Sequence, residues 1–359
     1  MKSNILVSVF ATFFALILFE FGLRCVGTFL THSEKNTEGG LYFSIRKNEQ
    51  LDSWFWVHLP HDTLIFKKPE FTFHRVTNSL GLSDIEWTKQ DSSFVILGIG
   101  DSFTEGTGVE ADATWLKVLE ANLNKKTEYP VSTMNAGVGG SDPVFEYLLL
   151  EKKLMAYNPD MVILSINGSD IHEITLRGGF ERFKDDGTTG RPAPKWEPFY
   201  QYSHVVRFVV HVLLGFHEDL ITRSEATKNR KRFIRIMETI NTKIDSLSRQ
   251  NGFKYLLVVH PIGYDFQSNR YAYDELNELV ELLYNSQSPF LDIRKCLAKD
   301  GYLTKEDVEP IYWPIDKHFN MKGYELYAKY VASKIESEFL KIDSLNTTQK
   351  DSQPSHAIP

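Results

Sequence analysis

The chain has 359 residues, 42% of them hydrophobic and 13% aromatic, the size and composition of a globular protein with a full core. Its formal charge of -7 and the lack of a dense basic face argue against a nucleic-acid partner; the run Lys228-Asn229-Arg230-Lys231-Arg232 reads as the solvated start of a helix. The two cysteines, Cys25 and Cys296, offer neither metal-ligand spacing nor a stabilising disulfide.

Segment 1–27 comes first. Ile5 to Phe19 is almost wholly apolar, broken only by Ser8 and Thr12, and Glu20 and Arg24 follow. As a helix from Ile5 to Leu23 it reaches roughly 28 Å, enough for a bilayer core with Glu20 near the interface. It reads as an uncleaved membrane anchor, because Glu20 and Arg24 fit poorly between an apolar region and a cleavage site. A signal peptide cleaved before Thr28, after the small residues Cys25 and Gly27, is the open alternative, and it would release a secreted protein. A short N-terminal tail before a large domain places that domain outside the cytoplasm, in the periplasm or at the cell surface.

Residues 28–90 are a tether and an irregular lead-in. The part from 28 to 50 is polar. Leu51 to Trp87 is aromatic, with turn signals at Pro60, Pro69 and Asn78, and reads as short strands and loops packed on the main domain. That domain spans 91–340. Phe94–Ile99 reads as a buried strand, and Ala113–Leu123 as a helix with Trp115, Leu116, Leu119 and Leu123 at helical spacing. Val131–Asn135 is a short strand, Pro143–Met155 a helix and Met161–Ile166 a strand. An insertion at about 173–225 follows. Its first part, 173–203, is rich in glycine, proline and charge, and Val205–Leu214 is an apolar stretch too short to span a membrane, either a packed helix or the lip of a cleft. Arg232–Leu247 is an amphipathic helix, Tyr255–His260 a strand, and Asp274–Tyr284 and Gly323–Leu340 are helices. Residues 341–359 carry no apolar pattern and read as a disordered tail. This alternation predicts a mainly parallel, doubly wound sheet in a three-layer α/β/α sandwich, with ligands bound beyond the carboxyl ends of its strands.

Gly100-Asp101-Ser102-Phe103 directly follows the first of these strands. A serine there presents its hydroxyl at the sheet edge, and Ser102 is the candidate nucleophile. A nucleophilic serine needs a base and a cradle for the oxyanion. His318 is the best base among 11 histidines, lying in a loop that opens onto the last helix, with Asp316 two residues before it to orient the ring. The N–H of Ser102 is one oxyanion donor by position. Gly140 offers a second, since glycine lets backbone approach a ligand closely. A side-chain donor would come from Asn167 or Ser169, which point the same way if the chain stays extended. Asp101 and Asp170 are supporting acids.

With these residues in hand, the chain resembles the SGNH hydrolases, also called GDSL-type esterases, over about residues 70–338. The blocks that carry the resemblance are Gly100–Phe103, Asn135–Gly140, Ile166–Ile171 and Asp316–Gly323, and Asn78–Leu82 is similar to the lead-in of membrane-anchored bacterial members. The resemblance implies a flavodoxin-like sandwich, Ser102 as nucleophile, His318 as base, backbone donors at Ser102 and Gly140, and neither metal nor organic cofactor. Two blocks depart from the family pattern. Ser169 stands where Gly-x-Asn-Asp has its asparagine, so either Asn167 donates instead or the oxyanion hole is weaker, at a typical loss of about 10²–10³ in rate. Ile315 stands where the family places its aspartate, three before the histidine, which leaves Asp316 or a backbone carbonyl to support His318.

The expected function is a membrane-anchored, extracytoplasmic serine esterase or acyl-transfer enzyme acting on an ester, such as an O-acetyl group, of a glycan or small acyl ester. Activity should fall on the acid side as His318 protonates. Trp54, Trp56, Trp196 and Tyr200 are available to stack on sugars, although packing is the commoner use of aromatics. The alternative, motivated by Ser169 and Ile315, is an inactive SGNH scaffold serving as a glycan-binding or assembly protein. Dinucleotide or phosphate binding is disfavoured, because Gly98-Ile99-Gly100 lacks a third glycine and a following lysine.

Overall fold

The computed structural model describes residues 2–26, 55, 57–87, 93–177, 179–185, 197–215, 223–267 and 274–340. The tether at 28–50 and the tail at 341–359 lie outside the described residues. The chain divides into two compact units, Val57–Ile171 with Ile234–Pro359, and Met1–Trp56 with His172–Phe233.

The first unit is built on a sheet of five parallel strands, β3 (Phe94–Gly100), β4 (Val131–Gly137), β5 (Met161–Ile166), β6 (Lys254–Val259) and β7 (Phe290–Asp292), in the order β4-β3-β5-β6-β7. Parallel strands covered on both faces read as unbroken apolar runs. Met161-Val162-Ile163-Leu164-Ser165-Ile166 does so, and it is buried throughout. The chain leaves β3 to one side for β4 and crosses to the other for β5. The switch point, where α/β sheets bind ligands, therefore lies at the carboxyl end of β3. An antiparallel hairpin, β1 (Thr63–Lys67) and β2 (Thr72–Val76), precedes the sheet and belongs to the same unit.

The helices in chain order are α1 (Lys2–Val26), α2 (Ser102–Glu105), α3 (Trp115–Asn124), α4 (Pro143–Lys152), α5 (Gly168–Arg177), α6 (Glu197–Tyr202), α7 (His204–Phe208), α8 (Arg223–Asn251), α9 (Gly263–Gln267), α10 (Asp274–Asn285), α11 (Ile293–Lys299), α12 (Lys305–Val308) and α13 (Met321–Ile335). On one face of the sheet, Ile96, Met161 and Leu256 pack with Trp115 and Leu119 of α3 and Tyr327 and Val331 of α13 in one fully buried core.

Several boundaries differ from expectation. The strand expected at Val131–Asn135 runs on to Gly137, paired with Gly100. Helix α8 begins nine residues before Arg232, at Arg223, because its first turns are polar and show no apolar stripe. Val205–Leu214 is not packed on all sides. It is split between α7 and a π-helical turn, Val209–Leu213, in which Val210 is buried and Val212 and Leu213 are exposed. Tyr200 is buried, so it serves packing rather than sugar stacking. Among the described residues one helix, Ile5–Val26 within α1, is long and apolar enough to cross a membrane.

Candidate active site

The site starts where β3 stops. Asp101 is the N-cap of α2, its carboxylate accepting the Phe103 N–H at 2.9 Å. The cap turns the chain sharply and makes Ser102 the first helical residue. An N–H at that position has no intrahelical acceptor. The Ser102 hydroxyl lies 2.7 Å from His318 Nε2, across 216 residues of sequence.

His318 sits in a tight loop. Tyr312 and Phe319 pair as an antiparallel bridge, the Trp313 N–H donates to the His318 carbonyl at 2.9 Å, and the Lys317 N–H donates to the Trp313 carbonyl at 3.0 Å. Asp316 reaches the ring from two residues back, Oδ1 lying 2.5 Å from Nδ1. Lys317 makes this possible, with a left-handed backbone at φ 72° that folds Asp316 back over the following residue. Burial alone would raise the Asp316 carboxyl; the hydrogen bond and charge of His318 outweigh it and hold the carboxyl below its ordinary value. With Nδ1–H donated to this carboxylate, Nε2 is left to accept the serine proton. The Phe103 ring, 4.5 Å from the imidazole between centroids, fixes the ring plane.

Asp101, Asn167, Ser169 and Asp170 form a second chain of contacts. The Asn167 amide donates to Asp101 Oδ2 at 3.0 Å, its N–H donates to Asp170 at 2.7 Å, and the Ser169 hydroxyl donates to Asn167 Oδ1 at 2.7 Å. The extended continuation on which Asn167 and Ser169 were compared does not occur, because α5 begins at Gly168. Asn167 is buried with its amide turned to Asp101, whereas Ser169 is half-buried. Gly140 follows β4 at φ 73°, with open space where a side chain would begin.

The profile of the GDSL-like lipase/acylhydrolase family matches residues 99–326. The chain belongs to this family. No curated protein matches it. Solved structures similar to it include a two-domain esterase active on acetylated mannans, co-crystallised with mannopentaose, at 15% identity and a TM-score of 0.41 over 74% of this chain and 52% of that one. A lipase/acylhydrolase from Enterococcus faecalis is similar at 15% identity and a TM-score of 0.41, over 68% and 95%. An acetyl xylan esterase is similar at 16% identity and a TM-score of 0.39, over 68% and 99%. The chain thus spans about half the length of the two-domain esterase, 52% of it.

This GDSL family member adds groups that motif reading missed. Glu105 closes the one-turn helix that Ser102 opens. It is fully buried between Arg75 Nη2 at 2.8 Å and His58 Nε2 at 2.6 Å, and it accepts the N–H of Gly139, next to Gly140. Burial would raise its carboxyl; the His58 hydrogen bond, the Arg75 charge and the Gly139 N–H outweigh it and hold it below its ordinary value. Gly137 permits this approach, since a Cβ there would lie 2.1 Å from the Glu105 backbone nitrogen. Glu70, in the turn of the β1–β2 hairpin, accepts the N–H groups of Ile315 and Asp316 at 2.7 and 2.8 Å and so grips the histidine loop. One signal was readable: β2 alternates, and Arg75 shares the buried face with Phe73, where a cation requires a buried acid. His260, just beyond β6, is buried against Phe103 and Phe319 with Nε2 lacking a hydrogen-bond partner. Burial pushes its pKa down to about 4, so the ring is neutral near pH 7. No group of three His, Cys, Asp or Glu among the described residues could hold a metal ion.

Proposed function

We propose that this family member is a serine esterase or acyl-transfer enzyme, anchored to a membrane by α1, with its catalytic unit outside the cytoplasm. The observation that carries the reading is the continuous relay from Ser102 Oγ to His318 Nε2 at 2.7 Å and from His318 Nδ1 to Asp316 Oδ1 at 2.5 Å. His318 takes the Ser102 proton as Oγ attacks an ester carbonyl, and Asp316 stabilises the imidazolium. The N–H groups of Ser102 and Gly140 receive the developing oxyanion, Gly140 being held through Gly139 by Glu105. His318 then gives its proton to the leaving alcohol. Water, or the hydroxyl of an acceptor, attacks the acyl-serine by the same route in reverse. Ser169 is a weaker donor candidate, because its single O–H is engaged by Asn167. The proposed substrate is an ester, O-acetyl or other small acyl, on an envelope glycan or a small molecule; tethering to a membrane supports this class.

The test is covalent labelling of the purified full-length protein by a fluorophosphonate, read by mass, with Ser102→Ala and His318→Ala alongside. Stoichiometric labelling of the wild type, lost in both variants, is the expected result. A folded wild type that takes up no label would mean that the serine is not activated, and the scaffold would then be a binding one.

A further inference from the structure

We infer that residues 197–214 are a second membrane-contacting element, seated on the carboxyl-terminal turns of α1, whose partner is the boundary between lipid headgroups and acyl chains. This rests on the reading of α1 as an anchor and extends it. The starting point is Glu20. It directly follows the apolar run Ile5–Phe19, and a carboxylate at the edge of such a span is costly unless it finds partners. Glu20 finds them in one place. Oε2 accepts the Ser203 hydroxyl at 2.8 Å and the Val205 N–H at 2.9 Å, and Oε1 accepts the His204 N–H at 3.0 Å. These N–H groups open α7, where a helix has no acceptors of its own. Arg24 completes the joint, bonding Glu20 Oε1 at 2.7 Å and donating to the Tyr202 carbonyl at 2.5 Å. Directly before Glu20 on α1, the Phe19 ring meets Phe208 edge-on at 5.2 Å.

The docked segment turns Arg207 and His211 inward, onto Tyr200, and leaves most of its large apolar groups outward. Arg207 is buried, with its guanidinium bonded to the Tyr200 carbonyl at 2.9 Å, and His211 bonds the Tyr200 hydroxyl at 2.6 Å. Phe199, Tyr202, Val212, Leu213 and Leu214 are each more than half exposed. A water-facing loop is built the other way round. At ten residues, His204–Leu213 is too short to cross a bilayer, and exposed aromatics beside aliphatics suit the interface. The lipid assignment follows from continuity: the patch adjoins α1, whose apolar side chains are exposed along the same span.

The experiment uses the full chain with Cys25→Ser and Cys296→Ser. A single environment-sensitive NBD label is placed at Phe13→Cys, Leu213→Cys or Lys125→Cys, in phosphatidylcholine–phosphatidylglycerol vesicles with or without doxyl-labelled lipid. The expected result is blue-shifted emission and quenching at Phe13 and Leu213, each at least about twofold stronger than at the exposed Lys125. Quenching at Phe13 with none above the Lys125 level at Leu213 would overturn this inference and leave the anchor intact. No quenching at Phe13 would overturn the anchor and the inference with it. A blue-shifted Leu213 label that doxyl lipid leaves bright would mean a face covered by protein, which also overturns the lipid assignment. Glu20→Ala should lower quenching at Leu213 while sparing Phe13; unchanged quenching at Leu213 would refute the seating on Glu20.

Discussion

Lys317→Val tests whether a left-handed backbone brings Asp316 to the histidine. Lys317 stands at φ 72°, held there by its N–H on the Trp313 carbonyl at 3.0 Å and its own carbonyl on the Gly263 N–H at 3.2 Å. The left-handed region costs an ordinary residue roughly 1–2 kcal/mol, and a β-branched one more, because its second γ atom crowds the backbone. A further penalty of about 1–2 kcal/mol, within the range for a strained backbone position, biases the loop toward right-handed conformers, in which Asp316 no longer lies behind Nδ1. That bias corresponds to a fall of about 5- to 30-fold in the population competent to acylate. Lys317→Gly removes that strain of about 1–2 kcal/mol and adds unfolded-state freedom of about 0.5–1 kcal/mol, so the glycine loop is held at least as well as the lysine one. The assay is the fluorophosphonate labelling rate, with thermal midpoints measured in parallel. The expected order is wild type close to Lys317→Gly, with Lys317→Val well below both. A valine variant that labels as fast as wild type would refute the argument. So would a glycine variant slowed as much as valine, which would transfer the effect to the bond between Lys317 Nζ and the Pro314 carbonyl.

Asp316→Asn should retain the fold and lose roughly 10³–10⁴ in kcat, since a neutral amide neither fixes the tautomer nor stabilises the imidazolium; steady-state hydrolysis of p-nitrophenyl acetate measures it. His260 gives the fold a pH dependence. In the unfolded chain a histidine binds a proton near pH 6.5, whereas the folded ring resists until about 4. Stability is therefore full above about pH 6.5 and declines by about 3 kcal/mol as pH falls to about 4, a loss that His260→Phe should remove in urea titrations. Glu105→Gln leaves the buried Arg75 without its counter-charge and should cost about 3–5 kcal/mol in chemical denaturation, with Arg75→Met recovering part of the loss.

How much of this was readable in the sequence depended on distance along the chain. The β3 strand and the turn into Ser102 are local: an unbroken apolar run, then Gly-Asp-Ser, with Asp101 serving as the cap that its residue type suggests. His318 and Asp316 are both legible as candidates from chain order and spacing, but the way Asp316 reaches the ring from two residues back is not, because the left-handed backbone of Lys317 cannot be read from a lysine. Asn167 and Ser169 stayed ambiguous because strand alternation stops applying where α5 begins. Arg75 left a trace in the alternation of β2, whereas Glu70 left none. Glu70 meets its partners 245 and 246 residues away, and no periodicity records such a contact.

The lead-in hairpin bears on how this GDSL family member would be handled in the laboratory. The family match begins at residue 99, inside β3, which invites an expression plasmid that starts at the head of that strand. Such a fragment would encode Ser102, Asp316 and His318 but omit His58, Glu70 and Arg75. It would release Glu105 and the histidine loop from their outer clamps, and silence in an activity screen would then report on the cloning boundary rather than on the chemistry.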